Sequence, residues 1–433
     1  MEWHLILTLF GTFAVLLTLG IPVSFAIGLS SLATIMMSLP LEPAIAVVAQ
    51  RMAAGLDNFA LLAIPFFILA GNIMNQGGIA LRLINFAKVL GGRLPGSLAH
   101  VNVLANMMFG SISGSAVASA AAVGGTMAPL QKKDGYDESF SAAVNITSCP
   151  TGLLIPPSNT LIVFSLVSGG TSIAALFLAG YLPGILMGLS LMIVAGIIAK
   201  RRGYPLAPRP TLAAVWDTFI KAAPSLLLIV VIMGGIIGGI FTATEASAIA
   251  VVYTLVLAVG FYREVRVRDL PKIVLESAVT TSIVLLLVGA SMGMSWAMAN
   301  ADIPYMIADA LLAVSENPLI ILLIINVILL IVGIFMDMTP AVLIFTPIFL
   351  PIVLDLGVDP VHFGIMMTFN LAIGLCTPPV GSALFVGCSV ANISIDKVIK
   401  PLLPFYAALF LALLAVTFIP QISLLLPQLI LGY

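Results

Sequence analysis

Met108-Phe109-Gly110-Ser111-Ile112-Ser113-Gly114-Ser115-Ala116 interrupts a long apolar segment with little but glycine and serine. Irregular backbone facing lipid would leave amide and carbonyl groups without partners, because no water reaches them there. A break of this kind at membrane depth is therefore buried in protein or lines a wet cavity. Gly374-Leu375-Cys376-Thr377-Pro378-Pro379-Val380-Gly381-Ser382, far downstream, has the same character. The rest of the chain reads as a frame that brings the two breaks together.

Membrane depth follows from composition. The 433 residues are 61% hydrophobic and 8% charged, with a mean hydropathy of +1.21, whereas a soluble domain carries about 25% charged residues. Apolar stretches of roughly 20 residues, the length a helix needs to cross a bilayer, recur from end to end. The short alternating strands of a β-barrel are missing. The expected class is an all-α polytopic membrane protein. Cys149, Cys376 and Cys388 lie in apolar segments and read as small packing residues. The net charge of −1 gives no case for nucleic acid. Met1-Glu2-Trp3-His4 lacks the basic residues that open a signal peptide, so the first apolar run reads as a retained span.

Lys and Arg mark cytoplasmic loops. They fall in blocks at Arg82/Lys88/Arg93, Lys132/Lys133, Lys200/Arg201/Arg202/Arg209, Arg263/Arg266/Arg268/Lys272 and Lys397/Lys400. Loops with Asp302, Asp309 and Glu316, and with Asp355 and Asp359, carry no basic residue. Threading by these marks puts the N-terminus outside, with spans near 4–20 and 22–39, a lone Arg51 outside and a span near 57–77. Segment 94–131 begins and ends at basic blocks, and at about 1.5 Å per residue each half is too short to cross comfortably. It reads as a re-entrant hairpin with its tip at Ser111–Ser115. A broken span (139–168) and spans near 172–198, 219–241, 245–262 and 277–299 follow. Segment 317–354 has acidic flanks and reads as a second hairpin from the opposite side, its tip at Met336-Asp337-Met338-Thr339-Pro340. A second broken span (361–391) and a last span (402–425) complete the chain.

An offset of 222 residues brings Pro129 onto Pro351, Gly135 onto Gly357, Asp137 onto Asp359, Gly152 onto Gly374, Pro156-Pro157 onto Pro378-Pro379 and Ser172 onto Ser394. With hairpins entering from opposite sides, this is an inverted-topology repeat holding two re-entrant hairpins and two broken transmembrane helices. Many secondary transporters share that architecture, with cargo bound near the midplane at the discontinuous helices.

An unwound turn exposes carbonyls, and half-helix N-termini present amide donors and positive dipole ends. The first tip and break bring together Ser111, Ser113, Ser115, Gly152, Ser158, Asn159 and Thr160. The second pair brings together Asp337, Thr339, Gly374, Thr377, Gly381 and Ser382. Oxygen ligands without His or thiolate suit Na⁺ better than a transition metal. A carboxylate as deep as Asp337 marks an ion or proton path; it also reads as a helix cap. Small residues at the first tip have the alternative reading of close helix packing. Glu245, before an apolar run, reads as a helix cap. No Ser/His pair or metal triad suggests an intramembrane enzyme.

These residues resemble the large membrane subunit of the tripartite ATP-independent periplasmic (TRAP) transporters. The matching pieces are Pro65-Phe66-Phe67-Ile68-Leu69-Ala70-Gly71, Gly110–Ala116, Ile155-Pro156-Pro157-Ser158, Phe241-Thr242-Ala243-Thr244-Glu245-Ala246, Phe335-Met336-Asp337-Met338-Thr339-Pro340-Ala341 and Thr377-Pro378-Pro379-Val380-Gly381. The resemblance implies Na⁺-driven import of a small carboxylate across a prokaryotic inner membrane by an elevator motion. It implies a periplasmic substrate-binding protein and a small four-helix membrane subunit, expected as a separate polypeptide since nothing before Met1 could hold it. Lipid surrounds the whole.

By this analogy Ser111, Ser115 and Gly152 serve a first Na⁺ site, and Asp337, Thr339, Gly374 and Thr377 a second. Ser113, Ser115, Ser158, Asn159, Thr160, Gly381 and Ser382 face the cargo. The expected division is a scaffold (1–93 and 172–316), transport units (94–171 and 317–396) and a C-terminal helix (397–433). A proton-coupled or standalone organic-anion carrier of the same broad fold is the alternative.

Overall fold

The computed structural model describes residues 3–91, 94–205 and 211–433, and every regular element in them is helical. Met1 and Glu2, and Arg93 and Arg209 of the basic blocks, lie outside the described residues. The first half holds α1 (Trp3–Thr18), α2 (Val23–Ile35), α3 (Leu41–Leu56), a 3₁₀ turn (Phe59–Leu62), α4 (Ala63–Gln76) and α5 (Ile79–Gly91). It continues with α6 (Ser97–Ser113), α7 (Ala116–Lys133), α8 (Glu138–Ser148), α9 (Thr151–Leu154), α10 (Asn159–Val167) and α11 (Ile173–Arg202). The second half holds α12 (Leu212–Ile237), α13 (Ala243–Leu255) with a π turn after it, α14 (Leu270–Asn300) and α15 (Ile303–Val314). Then come α16 (Pro318–Phe335), α17 (Met338–Asp355), α18 (Pro360–Gly374), α19 (Ser382–Ala391), α20 (Ile395–Phe418) and α21 (Gln421–Leu431). Among the described residues eight helices can cross a membrane by length and composition, or nine if the bent pair Glu138–Leu154 and Asn159–Val167 counts as one span.

The repeat extends to whole helices: an offset of 222 carries both ends of α7 onto both ends of α17. Its sequence marks acquire structural reasons. Gly135 and Gly357 end the outer hairpin arms with φ of +79° and +76°, a left-handed conformation that costs glycine nothing. Asp137 then accepts the Phe140 amide at 2.8 Å, and Asp359 accepts the Val361 amide at 2.8 Å. Each carboxylate satisfies an orphan donor at the start of a broken span. The Pro156-Pro157 and Pro378-Pro379 bonds are both cis.

The first hairpin, α6–α7, opens toward the C-terminal end of α11. There Tyr136 stacks on Tyr204 at 4.3 Å between ring centroids, and Arg202 pairs with Asp137 at 3.3 Å. The second, α16–α17, opens toward the far end of α20, where His362 meets Thr417 O at 3.2 Å and Ser423 Oγ at 3.4 Å. The tips therefore approach one another inside the protein. The first broken span and α18 of the second are buried in protein, with Phe140, Phe164, Phe363 and Phe369 fully buried, whereas Val380 in the second turn and Phe385 of α19 are exposed.

The helices depart from the expected spans in five places. Leu41–Leu56, expected only to carry a stray Arg51 outside, is a helix packed on α14, with Arg51 5.7 Å over the Trp296 ring. That cation–π contact gives the exceptional arginine its place. α5 and α15 are short helices ahead of each hairpin, at 13 and 12 residues too short to be spans. α14 starts at Leu270, well before the expected 277. The last span is two helices, broken at Ile419-Pro420, because Pro420 supplies no amide to continue the first. Glu245 completes a capping box with Thr242 at the start of α13, as expected.

Candidate functional site

Each hairpin lies on its broken span through a pair of glycines. A Cβ added to Gly152 would sit 2.2 Å from Gly110 Cα, and one on Gly374 would sit 2.6 Å from Gly333 C. Backbone thus crosses backbone in both halves, which only glycine permits. Small-residue packing and site-building are one device here: the crossings hold the tips beside the unwound turns.

At the first tip α6 ends at Ser113, Gly114 turns with φ +62°, and Ser115 caps α7 by accepting the Ala118 amide at 3.2 Å. Gly71 of α4 lies against this tip, where a Cβ would meet Ser113 O at 2.9 Å. At the second tip α16 ends at Phe335 and Asp337 caps α17 by position, without a side-chain hydrogen bond to the helix. Its carboxylate instead accepts from Ser382 Oγ at 3.5 Å. Ser115 and Asp337 stand at equivalent positions, as do Thr160 and Ser382. Thr160 Oγ1 also reaches Met338 Sδ at 3.1 Å, joining the halves.

Between the tips lies a cavity of about 290 Å³. Its walls include Ser113, Ser115, Asn159, Thr160, Asp337, Thr339 and Ser382, which the sequence had singled out. The opening residues of α7, α10, α17 and α19 line it, so four positive helix ends face the space. Asp337 is its one charged lining residue and is open to it. A carboxylate would meet amide and hydroxyl donors; a small cation would meet Asp337, hydroxyls and the carbonyl ends of α6, α16 and α18. Among the described residues no three His, Cys, Asp or Glu side chains gather as metal ligands.

The remaining singled-out residues sit behind the wall. Ser111 is buried and donates to Met108 O at 2.9 Å. Gly152 and Gly374 are in the crossings. Ser158 is buried, its hydroxyl without a hydrogen-bond partner among the described residues. Thr377 donates to Ile373 O at 2.8 Å. Gly381 borders a neighbouring cleft of about 150 Å³ with Asp337 and Ser382.

Sequence reasoning missed the opposite wall. Ile64, Ile68, Gly71 and Asn72 of α4 and Thr280 and Val284 of α14 close the cavity. Asn72 donates to Ser277 Oγ at 2.8 Å, tying the two helices. An amide directly after the Pro65–Gly71 stretch was a readable signal; Thr280 carried none.

The profile described as tripartite ATP-independent periplasmic transporter, DctM component, matches residues 10–422. The YgiK protein of Salmonella typhimurium is 65% identical over 98% of this chain and 97% of its own. The sialic acid TRAP transporter large permease protein SiaM of Vibrio cholerae is 40% identical over 96% of this chain and 97% of its own. The crystal structure of the Alcanivorax borkumensis YdaH transporter, described as having an unusual topology, aligns with a TM-score of 0.62 and 12% identity over 87% of this chain and 88% of that one. That likeness is one of fold.

Proposed function

The chain belongs to the DctM family of tripartite ATP-independent periplasmic transporters, and from that premise we propose that it imports a small organic acid coupled to Na⁺. It is a multi-pass inner-membrane transport protein, not an enzyme. The observation that carries the proposal is the cavity where four helix N-termini and one carboxylate, Asp337, converge. The name of the Vibrio cholerae relative, a sialic acid transporter, agrees with an acidic cargo.

In this reading the cargo carboxylate lies toward Ser115, Asn159 and Thr160 at the N-termini of α7 and α10. Na⁺ lies at Asp337 and Thr339 with the Gly374–Thr377 carbonyls, and a further Na⁺ at the first tip with Ser111, Ser115 and Gly152. Coupling then has an electrostatic cause. Two like charges about 5 Å apart at an effective dielectric of about 20 repel by about 3 kcal/mol. Na⁺ beside Asp337 removes that repulsion, so each ligand favours the other by reciprocal linkage.

We further propose that 94–171 and 317–396 move together against 1–93 and 172–316, the cavity wall on α4 and α14 being the surface they slide along. A separate small membrane subunit and a periplasmic binding protein complete the system.

Uptake of labelled organic acids into proteoliposomes containing both membrane subunits, with the binding protein outside, tests this. Uptake should require external Na⁺ and fail with K⁺. Transport driven by a proton gradient without Na⁺, or indifferent to the binding protein, would replace it with a proton-coupled or standalone carrier.

A further inference from the structure

A second polar region lies behind the first hairpin. Its mouth is a cavity of about 230 Å³ bounded by Gly125, Pro129, Lys132, Glu138, Ser141 and Val390, on the face of the basic residues. Beside it, sharing Ser141 and Val390, lies a pocket of about 10 Å³ lined also by Asn102, Gln131 and Asn145, which is room for about one water. Two polar atoms there have no partner among the described residues: Oγ of Ser141, a residue 5% exposed, and Nδ2 of Asn102, 1% exposed. Buried polar groups without protein partners are satisfied by water or an ion.

From this pocket hydrogen bonds climb α6 a turn at a time. Asn106 Nδ2 has Asn102 Oδ1 at 2.7 Å, Ser148 Oγ at 2.8 Å and Asn145 Oδ1 at 3.1 Å as acceptors for its two hydrogens, and Ser119 Oγ donates to Asn106 Oδ1 at 2.7 Å. Ser119 Oγ lies 3.5 Å from where a Cβ of Gly110 would be, at the crossing beneath the tip. Gly124 leaves the space that the Asn145 amide fills, a Cβ there coming within 2.2 Å of Nδ2.

The other half differs at these positions and holds a polar cluster elsewhere, in which Asn326 donates to Thr417 Oγ1 at 3.0 Å and His362 meets Thr417 O and Ser423 Oγ. At the offset of 222, Asn102, Asn106, Ser119, Gln131, Ser141 and Asn145 correspond to Ile324, Ile328, Ala341, Val353, Phe363 and Met367. Only Ser148 keeps a polar counterpart, Asn370, whose amide is spent on Asn326 O at 2.9 Å and Oδ1 at 2.7 Å. At the positions matching Ser141 and Asn145 the second half packs with Phe363 and Met367, both fully buried.

We propose that the track from Asn106 through Asn102 and Asn145 to the Ser141 cleft is a hydrated passage by which a small monovalent cation leaves the first tip toward the basic face. This rests on the Na⁺-coupled reading above. Neutral amide and hydroxyl oxygens suit such a passage, since they replace hydration without trapping the ion as carboxylates would. The second half, plugged by Phe363 and Met367, sends its ion out only through the main cavity.

The test plugs the first half as the second is plugged. In proteoliposomes with both membrane subunits, Ser141→Phe should lower Na⁺-driven turnover at least tenfold, with half-saturating external Na⁺ within twofold of the parent. Ser141→Cys, in a chain whose native cysteines are buried, should react with a small cationic thiol reagent applied at the basic face. This labelling decides the matter if Ser141→Phe fails to insert. Parent-like turnover in a folded Ser141→Phe protein overturns the passage and leaves Na⁺ coupling standing. So does a Ser141→Cys thiol that resists the reagent while a Lys133→Cys control reacts. Na⁺-independent uptake by the parent chain would overturn the coupling and the passage together.

Discussion

Ser115 and Asp337 occupy the same place in the two halves, each at the N-cap position of the outer arm of a hairpin whose tip faces the central cavity. One is a neutral hydroxyl bonded back to its own helix; the other is a carboxylate that leaves its helix uncapped and turns to Ser382. Beneath the tips the polar residues differ in place, with Asn102, Asn106, Asn145 and Ser148 joined in the first half and Asn326, Asn370 and Thr417 in the second. The two halves repeat one cradle and differ in the side chains that fill it. A single fixed charge is retained where two would repel across a shared cavity.

The largest effects should come from what the halves share. Gly152→Val and Gly374→Val each drive a side chain into the facing hairpin backbone. Overpacking against backbone costs about 3 kcal/mol or more, so both variants should lose the monodisperse, thermally cooperative species seen by size exclusion and melting. A variant of only one pair that stays stable would show that its crossing can relax and that the frame is not symmetric.

Next comes the charge that distinguishes the tips. Asp337→Asn should fold but raise half-saturating Na⁺ at least tenfold in uptake assays, whereas Ser115→Ala should raise it no more than about threefold, the loss of roughly one hydrogen bond. Equal effects would erase the distinction between the tips.

The paired hydroxyls sharpen it further. Thr160→Val should raise the half-saturating cargo concentration about fivefold at fixed Na⁺, as the carboxylate loses a donor of about 1 kcal/mol. Ser382→Ala should act mainly on the Na⁺ dependence. Exchange of the two phenotypes would put the carboxylate at the second tip. Smallest and most alike should be Asp137→Ala and Asp359→Ala, each removing a cap worth about 1 kcal/mol. Thermal melting of the purified protein would read both.

Much of the frame was legible before any coordinates. Basic blocks set the threading, and Gly, Pro and Asp at one constant offset announced the repeat, because caps and turns are local events governed by a few neighbouring residues. Both tips and both breaks fell within a few residues of their place. Less legible were α3, α5 and α15, whose shorter apolar stripes become helices by packing on α14, α6 and α17 rather than by crossing the bilayer. The break before α21 was hidden too, since Pro420 sits inside a run that hydropathy alone reads as continuous.

The amino-acid sequence by itself determined the solvent this protein lives in and its twofold internal plan, and it singled out residues whose oxygens and amides suit an anion or a small cation. Tertiary structure alone decided which residues share the cavity and which lie behind its wall: Asn72 and Thr280 in the wall, Gly333 under Gly374, Ser111 behind it with its hydroxyl on Met108 O. The reason is physical. Composition and local geometry act within a few residues, whereas a cavity is what remains when helices distant in sequence pack as closely as their side chains permit.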